Sequence, residues 1–188
     1  MDEVMQQRLQ AFAQRADEEG LVDVSYASVD SPFGPLLAAT TRRGLVRLAY
    51  PDEGPDTVID DLARRVSPRV LEAPARLDEI RRELDEYFEG GRRDFDLAVD
   101  WVLTAGFARR VLQATSRIPF GQVRTYGQMA ANAGNQRAAR ATGNALGSNP
   151  IPIVVPCHRV VRAGGNLGGY TGGIERKIKL LGIEGVLL

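Results

Sequence analysis

The sequence predicts a mixed α/β (α+β) fold in two modules, a small α/β module followed by a helix-turn-helix module. Three observations carry this reading. Short segments of alternating hydrophobicity, interleaved with helical ones, fill residues 23–100. Two short helical segments joined by a glycine-containing turn follow between Tyr126 and Leu146. The charge divides in the same place. Residues 1–100 carry 13 Lys/Arg against 22 Asp/Glu, a net of −9, while residues 101–188 carry 11 against 2, a net of +9. The expected organisation is a helical extension over 1–22, an α/β domain over 23–100 and a basic domain over 101–188. The basic half is a natural surface for a polyanion, although the two halves could equally neutralise each other across an interface.

Residues 3–19 have helical spacing, with Met5, Leu9, Phe12 and Ala16 on one face. Val22–Ser28, Pro35–Thr40 and Gly44–Tyr50 read as strands, with Ser31-Pro32-Phe33-Gly34 and Arg42-Arg43-Gly44 as the turns between them. Asp56–Val66 reads as a helix. So does Leu77–Phe88, where Leu77, Ile80, Leu84 and Phe88 share a face and Gly90-Gly91 follows. Phe95, Leu97, Val99 and Trp101 alternate as in a strand with one buried face. The tyrosines and the tryptophan of this half read as core. In the basic half, Phe107–Ile118 is helical. Thr125-Tyr126-Gly127-Gln128 has capping-box spacing, so a helix starts at Tyr126 and breaks at Gly134. A second helix is expected from about Gln136 to Leu146.

Hydrophobic residues make up 44% and charged residues 26% of the 188, the proportions of an ordinary soluble globular protein. No apolar run approaches a membrane span. The acidic start, Met1-Asp2-Glu3, gives no sign of a secretory signal. These features suggest a cytoplasmic protein with no membrane partner. One cysteine and one histidine are present, as the neighbours Cys157-His158. That excludes an internal disulfide and a four-ligand zinc site of the Cys/His kind, so no metal is expected, and it suggests a reducing compartment.

Two segments could carry chemistry. The second helix, with Gln136, Ala138, Ala139 and Arg140, is alanine-rich with two arginines. Small residues let a helix approach a sugar-phosphate wall while one long side chain probes the base stack. An ordinary core helix with inward alanines fits the same pattern. In Ile151-Pro152-Ile153-Val154-Val155-Pro156-Cys157-His158-Arg159-Val160 an apolar strand leads into Pro-Cys-His-Arg. A lone cysteine is most often a small buried hydrophobe. A nearby imidazole or cation would instead favour the nucleophilic thiolate. Neighbours on an extended chain point to opposite faces, so a bridging water is the simplest relay from Cys157 to His158. Glu175 and Glu184 are the only acidic residues of this half, and Glu184 could orient the imidazole. The glycine-rich run Gly164–Gly173 brings Tyr170 and Thr171 into a loop of close approach, or is only a flexible connection. A helix-turn-helix binder without covalent chemistry and a Cys-His hydrolase are the competing functions at this level.

Together these segments resemble the O6-alkylguanine-DNA alkyltransferase family. Pro156-Cys157-His158-Arg159-Val160 matches its active-site signature, with Asn149-Pro150 upstream and Tyr170-Thr171-Gly172-Gly173 downstream. Ala138-Ala139-Arg140-Ala141 matches its second helix and Val123-Arg124-Thr125-Tyr126 its first. The match is strong over 105–188 and looser over 26–100. The resemblance implies a ribonuclease-H-like first domain and a winged-helix-like second domain. It implies repair of O6-alkylguanine, with O4-alkylthymine as a further candidate, by irreversible single-turnover transfer of the alkyl group to Cys157. It also implies a monomer acting on double-stranded DNA without cofactor. His158 would take the thiol proton through a water, Glu184 would orient His158, and Asn149 would hold the turn beside the site. Arg140 would enter the base stack, Tyr126 would meet the 3′ phosphate, and Tyr170 would donate to the guanine N3. Thr125, Gln136, Ala138, Ala139 and Arg159 fall among the expected DNA contacts, and Val155, Pro152, Thr171 and Leu146 in the substrate pocket. Leu112, Ala108, Thr142 and Thr171 depart from the pattern, where Trp, Gln, Val and Ser are frequent. These departures bear on pocket width.

Overall fold

The computed structural model of the chain describes residues 8, 11–13, 15–16 and 19–186. These fall into two compact units: residues up to Asp85 with Leu97–Leu103, and Glu86–Asp96 with Thr104 onward. The chain thus passes between units near 85, 96 and 103, where the sequence suggested one boundary at 100. No helix among the described residues is long and apolar enough to cross a membrane.

In the first unit, β1 (Val24–Val29), β2 (Leu36–Thr41) and β3 (Gly44–Ala49) form an antiparallel meander close to the expected segments. Helix α1 (Pro55–Arg65) then returns the chain to β4 (Val70–Glu72), which pairs parallel to β1 and closes the order β3-β2-β1-β4. This three-residue strand has no periodicity to announce it. Val58 and Leu62 on one stripe of α1 pack against Val24, Ala39, Val46 and Ala49.

The strand expected at Phe95–Trp101 does not form. Only one bridge is made, Val99 to Leu45, because Leu45 uses both its backbone groups on Ala98 and Asp100. Asp100 then leaves the sheet direction: its carboxylate accepts from Thr41, Arg43 and the Val102 N–H, starting a 3₁₀ turn at Trp101–Leu103. Gly44 is required here, since a Cβ at that position would lie 2.2 Å from the Ala98 carbonyl oxygen. Phe95 belongs to the second unit and packs on Tyr87 at 5.3 Å. The alternation that looked like one strand is therefore a chain passing from one unit to the other. Of the face expected over residues 3–19, Met5 and Leu9 lie outside the described residues. Ala16 is buried, but Phe12 is 62% exposed and does not face inward.

Helix α2 (Asp78–Phe88) contributes its last turn to the second unit. That unit also holds α3 (Gly106–Thr115), α4 (Tyr126–Asn132), α5 (Ala139–Gly147) and α6 (Ile174–Ile183), with a short parallel pair, β5 (Arg124–Thr125) and β6 (Val160–Val161). Val111, Leu112, Met129, Ala130, Ala145 and Leu146 are its buried core. The capping box starts α4 as expected: Thr125 Oγ1 accepts from the Gln128 N–H and Gln128 Oε1 from the Thr125 N–H. Helix α5 begins three residues later than Gln136. The Asn135 side chain accepts the Arg137 N–H and its carbonyl the Ala138 N–H, so Gln136 and Arg137 form a turn.

Candidate active site

The apolar run before Cys157 is not a strand. Pro152 and Pro156 have no N–H to give to a ladder, and the segment folds into successive tight turns, with Val155 N bonded to Ile151 O and Cys157 N to Val155 O. Asn149 is the hub: its amide donates to Val155 O at 2.8 Å and its oxygen accepts the Ile151 N–H at 3.0 Å. Ile153, fully buried, is held at φ +74°, a conformation costly for a β-branched residue and sustained only by surrounding structure. Cys157 opens a 3₁₀ turn, Cys157–Arg159, at the end of this knot.

Cys157 is 7% exposed, and its sulfur accepts from the Asn149 amide at 3.2 Å and from the Tyr170 hydroxyl. It lies on a cavity of about 640 Å³. Helix α5 supplies Ala139, Arg140, Gly143, Leu146 and Gly147 to the lining; Tyr126 of α4 and Arg162, Gly169, Tyr170 and Thr171 supply the rest. Thr171 Oγ1 donates to the Gly147 carbonyl at 2.6 Å, joining the glycine-rich loop to the end of α5. Tyr126 sits in a slot between Gly143 and Gly168. A Cβ at Gly168 would come within 3.0 Å of the Tyr126 hydroxyl, which donates to the Gly169 carbonyl.

Behind the sulfur lies a buried charge cluster. His158 Nε2 is 2.8 Å from Glu184 Oε1. Glu184 also accepts from Arg159, from the Tyr87 hydroxyl at 2.8 Å and from the Gly121 N–H. Burial would raise the Glu184 carboxyl, but the hydrogen bonds and charges of His158 and Arg159 outweigh it and hold the pKa at about 2. An ionised carboxylate only accepts, so Nε2 carries the imidazole proton and Nδ1 holds the free lone pair. Nδ1 is buried, and no described protein group hydrogen-bonds it. Burial lowers the His158 pKa, against the pull of Glu184. Burial likewise raises the Cys157 thiol, opposed by the Asn149 bond and the charge of Lys177. Both shifts favour the neutral forms, a thiol and an unprotonated imidazole, over the thiolate that neighbouring cations suggested. The arrangement can accept a proton at Nδ1 and stabilise the resulting imidazolium on Glu184.

Cys157, Tyr126, Ala139, Arg140, Leu146, Tyr170 and Thr171 therefore meet at one cavity, with His158, Glu184 and Asn149 packed beneath. Others do not join them. Arg159, expected on DNA, is 4% exposed and spends its guanidinium on Glu184 and the Ile118 carbonyl. Pro152 and Val155 are buried inside the turn knot and do not line the cavity. Thr125 uses its hydroxyl as a helix cap, Ala138 is the residue before α5, and Gln136 is exposed in the turn.

Three residues escaped the sequence reading. Tyr87, taken as core, holds Glu184 from the end of α2. Lys177 is fully buried, donates to the carbonyls of Val160 and Leu167, and is lowered by burial to about 8. Arg162, three residues beyond Arg159, reaches the cavity instead of it. None has a local signal; the RKIK run around Lys177 reads as a solvated face.

Two family models match the chain: the 6-O-methylguanine DNA methyltransferase ribonuclease-like domain over residues 24–101, and the DNA binding domain of the same name over 106–186. A methylated-DNA–protein-cysteine methyltransferase of Mycolicibacterium paratuberculosis is 39% identical over 161 residues, 86% of this chain and 92% of its own length. One of that name from Methanosarcina acetivorans is 38% identical over 160 residues, 85% of this chain and 97% of the relative. Among solved structures, Mycobacterium tuberculosis OGT in complex with DNA is similar with a TM-score of 0.72 at 38% identity, covering 85% of this chain and 92% of that one.

Proposed function

This chain belongs to the 6-O-methylguanine DNA methyltransferase family, which repairs alkylated DNA by alkyl transfer to a cysteine, and we propose that Cys157 is the acceptor and O6-alkylguanine in double-stranded DNA its substrate. The observation that carries this reading is the placement of the one cysteine on the cavity wall, next in the chain to a buried His158 that is bonded to Glu184. The thiol gives its proton, through a bridging water, to His158 Nδ1. The sulfur attacks the alkyl carbon, an S–C bond forms, and the C–O6 bond breaks with its electron pair going to the base. Tyr170, beside the sulfur, donates to the guanine N3 as charge develops there. Arg140, exposed on α5 and lining the cavity, enters the stack as the nucleotide leaves. Tyr126 and Thr171 frame the pocket. A thioether is inert and no second cysteine is present to release the alkyl group, so each molecule acts once; we infer further that it acts on DNA as a cytoplasmic monomer without cofactor.

The test is intact mass after mixing with a duplex oligonucleotide carrying O6-methylguanine. One methyl group per chain, mapped to Cys157, is expected. Turnover beyond one equivalent, or transfer by Cys157→Ala, would exclude the mechanism. A hydrolase would turn over and would call for a direct Cys157–His158 contact. His158 Nδ1 has no hydrogen-bond partner among the described residues, so the sulfur does not bond it directly, which favours the transferase.

A further inference from the structure

Arg159 and Arg162 stand three residues apart on the segment that leaves Cys157, yet they end in opposite environments. Arg159 is buried against Glu184. Arg162 is exposed and lines the cavity that holds Cys157 and Arg140. Among the described residues its guanidinium makes no hydrogen bond or ion pair; what it feels is the Tyr126 phenol beside it. Its backbone is nevertheless anchored. The Arg162 N–H donates to the Asn166 carbonyl at 2.8 Å, and the Gly165 N–H donates back to Arg162 at 3.3 Å. Its stem is fixed as well, passing over Gly168 so closely that a Cβ there would lie 3.4 Å from Arg162 Cγ.

The chemistry at this mouth is one-sided. Two arginines and the Tyr126, Tyr170 and Thr171 hydroxyls line the cavity, and no carboxylate among the described residues does. A base that reaches Cys157 must leave its phosphates at the rim, because a phosphate charge is too costly to bury. The rim is where Arg162 stands. A planar guanidinium matches two phosphate oxygens at once.

We propose that Arg162 is a DNA-binding residue of this site, taking a phosphate of the extruded nucleotide from the loop side while Arg140 acts from α5. The assignment rests on the reading of Cys157 as alkyl acceptor. Arg140 works while the stack is being opened. Arg162 works on the nucleotide once it is out, so it matters equally when no stack has to be opened.

The experiment is single-turnover alkyl transfer by the full chain, with Arg162→Ala, Arg162→Lys and Arg140→Ala beside the unsubstituted protein. The substrates are duplex DNA with O6-methylguanine, single-stranded DNA with the same lesion, and free O6-benzylguanine. Melting curves establish that each variant is folded. For Arg162→Ala the loss on both DNA substrates should exceed the loss on the free base by roughly tenfold or more. The dependence of log K on log salt should flatten by about one unit. Arg162→Lys should restore the salt slope but only part of the rate. Arg140→Ala should harm duplex more than single strand. An unchanged salt slope, or equal losses on DNA and free base, overturns the role of Arg162. Failure of the unsubstituted protein to take any alkyl group overturns instead the reading of Cys157.

Discussion

In the first unit, α1 rests Val58 and Leu62 on a floor of Val24, Ala39, Val46 and Ala49, and ion pairs such as Arg69–Asp23 lie at the surface. Its buried carboxylates, Asp100 and Glu83, each face an arginine that reaches solvent, Arg43 being 69% and Arg82 55% exposed at the side chain. In the second unit, His158, Arg159, Lys177 and Glu184 are all buried. A carboxylate taken out of water recovers its desolvation cost only with near-ideal partners, and well-packed hydrocarbon of the same volume would often be as stable or more so. The first unit shows that this chain can build a core from hydrocarbon. The charge buried in the second therefore points to chemistry as its reason, since it includes the histidine next to the one cysteine and a lysine whose charge acts on its thiol.

Breaking that contrast at its most sensitive point should abolish transfer: Cys157→Ala should leave O6-methylguanine untouched in the mass assay while folding normally. Next in size is Glu184→Gln. The transfer rate should fall by about 10²–10⁴-fold, the worth of a positioned proton acceptor. Stability should fall by about 3–5 kcal/mol, because the Arg159 charge is left buried without its carboxylate. Single-turnover kinetics and urea unfolding measure the two separately.

The same carboxylate sets the acid limit of the fold. Its folded pKa of about 2 lies below the ordinary 4.5, so the unfolded state binds more protons between those values. The stabilisation, on the order of 3 kcal/mol, is complete above pH 4.5 and lost as pH falls towards 2. His158, lowered below 6.5 by burial, removes stability in the same direction as pH falls below its ordinary value. Urea midpoints across pH 7 to 3 should decline in the unsubstituted protein and decline less in Glu184→Gln. Parallel declines would detach acid lability from this cluster.

Tyr87→Phe, which removes one hydrogen bond to a buried charge, should cost about 1.5–3 kcal/mol and slow transfer, with the free base as affected as DNA. Leu62→Ala should cost about 2–5 kcal/mol yet leave the transfer rate of the folded fraction unaltered. A rate effect there would mean that the two units are not chemically distinct. The smallest effect expected is a gain. Thr142 Oγ1 is buried with no hydrogen-bond partner among the described residues, at a position where the family resemblance favours Val. Thr142→Val should stabilise the chain by about 1 kcal/mol, or about 2–4 °C in Tm.

The sequence by itself determined the strands over 24–49, the helices at Asp56–Val66 and Leu77–Phe88, and the start of α4 at Tyr126. Each is written in local periodicity, turn residues or capping chemistry, which act over a few neighbouring positions. It also singled out the candidate reacting group, one cysteine beside one histidine, although only the family resemblance implied that this cysteine is the acceptor. Tertiary structure alone decided the fate of Phe95–Trp101, whose alternation is shared between two units. It alone decided that Ile151–Val155 coils around the Asn149 side chain instead of extending. And it chose between the two arginines after His158: the 3₁₀ turn at Cys157 drives Arg159 inward to Glu184, and the loop after β6 carries Arg162 out to the cavity. What separates them is a carboxylate 25 residues further on from Arg159, at the end of another helix, and no local pattern can report a partner that only folding brings near.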